Sequence, residues 1–135
     1  MPFPIEMELV KRTEAKVGCK LPLGYVAKMC QANGGSIVAG TDSWELDPIF
    51  DESDRRRLKR TCNDIVRGTK AAREWPGFPE NALAIGSNGG GNLLVLLADP
   101  ASDRYADAVY WWDHETDELN KVADDFSELE EEDHQ

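Results

Sequence analysis

Cysteine and histidine are scarce in this chain. The three cysteines, Cys19, Cys30 and Cys62, form no Cys-x-x-Cys, and the two histidines are His114 and His134, the latter one residue from the end. No zinc spacing can be assembled from that set. An odd number of thiols reads as small buried side chains, with an adventitious disulfide as the alternative. No apolar run approaches the ~20 residues that a membrane-crossing helix needs. The opening Met1-Pro2-Phe3-Pro4-Ile5-Glu6-Met7-Glu8 has neither a basic n-region nor an apolar h-region. No signal peptide is visible there, and the expected compartment is cytoplasmic.

Cations are nearly missing from the last third. Residues 99–135 carry 2 Lys/Arg against 14 Asp/Glu, whereas residues 1–98 carry 13 against 12. The whole excess negative charge therefore sits in one stretch. Its field repels phosphate backbones and anionic lipid, which makes nucleic acid and membrane poor partners, and it attracts a basic protein surface. For Glu130-Glu131-Glu132-Asp133 the plain reading is a frayed, solubilising acidic tail at about 130–135.

What is present is ample apolar material. With 41% hydrophobic residues spread over 135 positions, the chain can build one core without staples, and a single domain over 1–135 is expected. Residues 5 to 17 read as a helix with Leu9, Thr13 and Val17 four apart and Gly18 as its stop. Pro22 marks the start of a second helix, Tyr25, Val26, Met29 and Cys30 form its stripe, and Asn33-Gly34-Gly35 ends it. Two short strands, Ser36 to Ala39 and Ser43 to Leu46, flank Gly40-Thr41-Asp42 as a hairpin. Asp51-Glu52-Ser53-Asp54 is an acidic helix start. Behind it Leu58, Cys62, Ile65, Val66, Thr69 and Ala72 trace one face of a single inserted helix, with eight cations between Arg55 and Arg73 around the rest.

After the proline-rich loop Trp75-Pro76-Gly77-Phe78-Pro79 the pattern turns to strands. Leu83 to Gly86 and Leu93 to Leu97 flank Ser87-Asn88-Gly89-Gly90-Gly91-Asn92. The second run is apolar throughout, as in a central strand covered on both faces. Ala108 to Trp112 forms a third strand, and a last helix begins near Val122 with Val122, Phe126 and Leu129 inward. The class is α+β: a mostly antiparallel sheet with an N-terminal helical hairpin, an inserted helix and a C-terminal helix.

Few features invite chemistry. The glycine-rich stretch from Ser87 to Asn92 has no following Lys and leads into a strand, so it reads as a strand-connecting turn rather than a phosphate loop. Asp113-His114-Glu115 reads as a turn in which Asp113 bonds local backbone, with recognition or acid–base work by His114 as the alternatives. The arginine-rich helix reads as paired within the molecule and solvated, with a partner-binding face or nucleic-acid contact as the alternatives. Trp111 and Trp112 point to opposite sheet faces, so if only one face is covered, one tryptophan is left shallow. Trp44 and Trp75 read as core or loop anchors.

Several stretches in order resemble one family. Glu14, Gly18, Leu21-Pro22, Tyr25 and Asn33-Gly34-Gly35 match its opening, and Trp44-Glu45-Leu46, Leu83 to Gly86 and Gly90-Gly91-Asn92 match its middle. Val109-Tyr110-Trp111-Trp112-Asp113-His114-Glu115 and Phe126 match its ending. The chain thus resembles the SUKH superfamily, which includes Smi/Knr-type regulators of fungal cell-wall synthesis and many bacterial proteins. The resemblance spans about residues 5 to 129 and implies one α+β domain that binds rather than catalyses. Bacterial members are mostly regarded as immunity proteins that neutralise toxins, often nucleases, and fungal members act as scaffolds. Asn92 stands where the family usually has an acidic residue, and Glu130-Glu131-Glu132 replaces apolar residues of its last helix.

The expectation is therefore a non-catalytic domain without cofactor or metal that binds a toxin with a basic surface. Trp111 would be the apolar anchor, with Asp113, Glu115, Asp117 and Glu118 as charged contacts. The alternative is a regulatory protein-interaction module with no toxin partner. A small enzyme built on His114 is a third reading.

Overall fold

The structure, a computed structural model, describes residues 3–131. Helix α1, Met7–Val17, ends at Gly18, whose φ of 75° lets its N–H reach Glu14 O at 2.9 Å. Thr13 of the expected stripe is buried, Val10 beside the stripe is buried as well, and Leu9 and Val17 are half-buried. Pro22 is the N-cap of α2, Leu23–Gln31, which buries Tyr25, Val26 and Met29. Cys19, Cys30 and Cys62 are free and half-buried, less enclosed than expected. Burial pushes the thiols of Cys19 and Cys30 up from their ordinary range.

Strands β1, Gly35–Ala39, and β2, Asp42–Leu46, form the expected hairpin, with Gly40 at φ 65° between them. The arginine-rich stretch departs from expectation. It is two helices, α3, Arg55–Thr61, and α4, Ile65–Ala72. Asp64 adopts extended backbone and its carboxylate accepts from the N–H groups of Val66 and Arg67, at 2.9 and 3.0 Å. A buried carboxylate that caps a new helix outcompetes continuation of the old one. Asp54 caps α3, whereas Asp51 is buried outside the helix and bonds Ser53.

Strands β3, Ala82–Ser87, β4, Leu93–Ala98, β5, Tyr105–Trp112, and β6, Leu119–Ala123, continue the meander. β6 occupies the start of the expected last helix. The helical element there is one 3-10 turn, Phe126–Glu128, which seats Phe126 in the core against Tyr25 with ring centroids 5.1 Å apart. A two-residue strand, β7, Glu130–Glu131, then pairs with Ile37 and Val38 of β1. That part of the acidic tail is docked, and the rest of it, residues 132–135, lies outside the described residues. The seven strands are antiparallel in the order β6-β5-β4-β3-β2-β1-β7.

β4 has the two-sided burial that its sequence predicts: Leu94, Val95 and Leu96 are all fully buried. Leu94 and Leu96 join the larger core, beneath α1, α2 and the 3-10 turn. Val95 joins a smaller core on the other face with Ala72, Phe78 and Trp112. β3 bulges between Ala84 and Gly86, where a side chain on Gly86 would lie 2.7 Å from Glu45 O, so only glycine lets β2 approach. Among the described residues no helix is long and apolar enough to cross a membrane.

Candidate functional site

The meander places three hairpin turns at the same end of the sheet: Gly40-Thr41, Asn88 to Asn92, and Asp113 to Glu118. Side chains tie the turns together. Asn88 Nδ2 donates to Asp42 Oδ2 at 2.9 Å, and Asn92 Oδ1 lies 2.8 Å from His114 Nδ1. Gly91, at φ 94°, leaves the space that the imidazole fills, since a Cβ there would sit 2.8 Å from His114 Cε1. The glycine-rich stretch is thus a strand-connecting turn that also clamps the next turn over.

The Asp113 to Glu118 turn is held from within. Asp113 Oδ1 accepts from Glu115 N–H at 2.9 Å, Asp113 N–H donates to Glu118 O at 2.9 Å, and Asp117 N–H donates to Asp113 O at 2.7 Å. Asp117 takes φ 63°, which Asp tolerates better than most residues, and its carboxylate packs on Gly77. Glu115, Asp117 and Glu118 are exposed. Among the described residues Asp113, Asp117 and Glu118 have no ion-pair partner, and Glu115 has only the His114 imidazole at 4.0 Å.

The arginine-bearing helices do not neutralise this turn. Arg57 pairs with Asp51 and Asp54, Arg67 donates to Cys62 O, and Arg73 donates to Glu80 O and Ala82 O. The guanidinium groups of Arg56, Arg57 and Arg60 sit over the Phe3 ring at 5.6, 4.4 and 4.8 Å. The pairing within the molecule that the sequence suggested is therefore local to the segment.

The two tryptophans of β5 have different fates. Trp112 is fully buried, edge-on to Phe78 at 5.2 Å, because the loop after α4 covers the second sheet face. Trp111 is half-buried beside Trp44, centroids 6.2 Å apart, and lines a concavity of about 380 Å³ with Asp42, Asn92, Lys121 and Val122. It is the floor of a groove rather than a projecting anchor. The projecting aromatic is Trp75, which the sequence alone presents as a core or loop anchor. It is 49% exposed and stands edge-on to His114 at 5.7 Å. The four acidic candidates share one turn, Trp75 stands beside it through His114, and Trp111 faces the groove that Asn92 joins to that turn.

The neighbours of His114 are Asn92, Gly91, Trp75 and Glu115, with no serine or cysteine among them. Among the described residues no group of three or more His, Cys, Asp or Glu lies placed to hold a metal. The family model that the chain matches supports a protein-interaction module. The chain belongs to the SMI1 / KNR4 family (SUKH-1), matched over residues 4–132, nearly its whole length. Members of that family are typically non-catalytic. No curated protein matches the chain.

Proposed function

We propose that this chain is an immunity protein that neutralises a toxin domain by covering its basic active surface. The observation that carries this reading is the rigid Asp113 to Glu118 turn, whose exposed carboxylates lack cationic partners among the described residues. Nuclease active sites are basic, and an acidic partner can occupy them in place of substrate. Because the turn is fixed by its own hydrogen bonds, little ordering entropy opposes binding. The surrounding field steers encounter, with association up to ~10⁸–10⁹ M⁻¹s⁻¹ at low salt. The neutralisation takes place in the cytoplasm.

The test is co-expression with the toxin domain encoded next to this chain's gene. Cells carrying the parent grow. Cells carrying the Glu115→Lys, Asp117→Lys double variant, folded to the same melting temperature, lose protection. Equal protection by both would remove the acidic turn from the mechanism. The absence of any toxin gene beside it would favour the regulatory module instead.

A further inference from the structure

The groove between the turns has a chemistry that the acidic turn does not explain. Its floor is the half-buried indole of Trp111, backed by the buried Trp44, whose ring is inclined at 43° to it with centroids 6.2 Å apart. Trp44 donates its Nε1–H to Ala39 O and supports Trp111 from within the core. One carboxylate stands on the rim. Asp42 is held there by Asn88 Nδ2 at 2.9 Å and by the Ser43 N–H at 3.0 Å. The cation that lines the groove, Lys121, is tied to Asp124 at 2.5 Å. Among the described residues cations do lie over aromatic rings, but over Phe3 and Phe50 and not over either indole.

We propose that this groove receives an arginine side chain of the basic partner, its guanidinium stacked on Trp111 and paired with Asp42. The inference rests on the basic-partner reading above and names the group that such a partner presents. Indole is the strongest of the aromatic cation acceptors, and a planar guanidinium both stacks on it and bonds a carboxylate edge-on. An apolar side chain would cover the exposed Asp42 carboxylate without compensating its charge, and an acidic one would be repelled by it. The volume of about 380 Å³ holds one arginine side chain with its stem. Trp and Arg are the residues most enriched at energetic centres of interfaces, so the pairing gives Trp111 its part in binding as a receiver.

The four tryptophans make the test direct, because the indole N–H of each gives its own nuclear magnetic resonance signal. The full chain is titrated with the peptide acetyl-Gly-Arg-Gly-amide, and in parallel with the same peptide carrying citrulline, which keeps the shape and removes the charge. Substitution of Trp75 and Trp111 by Phe, one at a time, assigns those two signals. The expected result is a saturable shift of the Trp111 signal with the arginine peptide, with a millimolar Kd. The citrulline peptide leaves it in place, and Asp42→Asn weakens binding by roughly fivefold. Movement of Trp75 alone would place the cation on the acidic turn and overturn the proposal, as would equal shifts with both peptides or none with either. The peptide contains no toxin, so the two readings fail separately. Shifted groove signals beside a failed protection assay sink the toxin reading alone, and silent groove signals beside successful protection sink the groove alone.

Discussion

Asn92 Oδ1 accepts from the backbone N–H of His114 at 3.3 Å and lies 2.8 Å from its Nδ1, so one side-chain oxygen joins the β3–β4 turn to the β5–β6 turn. An acceptor there places the ring proton on Nδ1. Asn92→Ala is expected to cost about 1 kcal/mol of stability, because it leaves two half-buried donors without their mate. Amide hydrogen exchange checks it: His114 and its neighbours in the acidic turn should exchange faster, and β1 and β2 should be unchanged. The variant should also slow partner capture, since the carboxylates then sit on a looser turn.

Asp47 predicts a pH dependence with a definite sign. Burial first, then the nearby carboxylates of Glu45 and Asp64, push its carboxyl up to about 6. The folded state therefore penalises the charged form. The stability that Asp47 contributes as a neutral acid is complete below the ordinary carboxylate range and is lost as pH rises through about 6. Asp47→Asn should stabilise the protein by about 1–2 kcal/mol at alkaline pH, discounted for the solvated part of the side chain, and by nearly nothing in acid. Urea unfolding at two pH values measures this. A gain independent of pH would assign the effect to packing against Gly68 instead.

The break between α3 and α4 depends on Asp64. Its carboxylate satisfies two otherwise unpaired N–H groups in a buried setting, so Asp64→Ala should cost about 1–2 kcal/mol, and Asp64→Asn less. Urea unfolding monitored by circular dichroism is the check.

That break also marks where the sequence stops being legible. The stripe through Leu58, Cys62, Ile65, Val66 and Thr69 has helical spacing across Asn63-Asp64, and spacing alone does not reveal that a carboxylate prefers to begin a second helix there. The same limit applies at the other end. Val122, Phe126 and Leu129 are spaced as on a helix, yet Val122 lies in β6, because the exposed edge of β5 offers a ladder of hydrogen bonds. Local signals were sufficient where a residue type has one use. Gly18 stops α1, Gly40 turns the first hairpin, and the leucine run of β4 is a two-sided strand. The acidic turn was legible from charge alone. The place of Trp75 was not, since its contact with His114 joins the loop after α4 to a distant hairpin, and only the register of the sheet brings them together.

Trp75 and Trp112 should therefore behave oppositely. Trp75→Ala removes a half-exposed ring and should change stability by no more than about 0.5 kcal/mol, while weakening partner binding at least about tenfold. Trp112→Ala empties a filled space in the smaller core and should cost about 3–5 kcal/mol, whatever it does to binding. Calorimetric titration against the co-expressed partner, set beside unfolding curves for both variants, separates the two roles.

The most direct test is the rate at which the chain captures its toxin partner as salt is varied. Stopped-flow association of the parent and of the Glu115→Lys, Asp117→Lys variant is compared at about 0.01 M and about 1 M ionic strength, where screening lengths differ about tenfold. The parent should associate far faster than the variant in dilute salt, and the two rates should converge in concentrated salt. Matching rates for both proteins in dilute salt would contradict electrostatic capture by this turn.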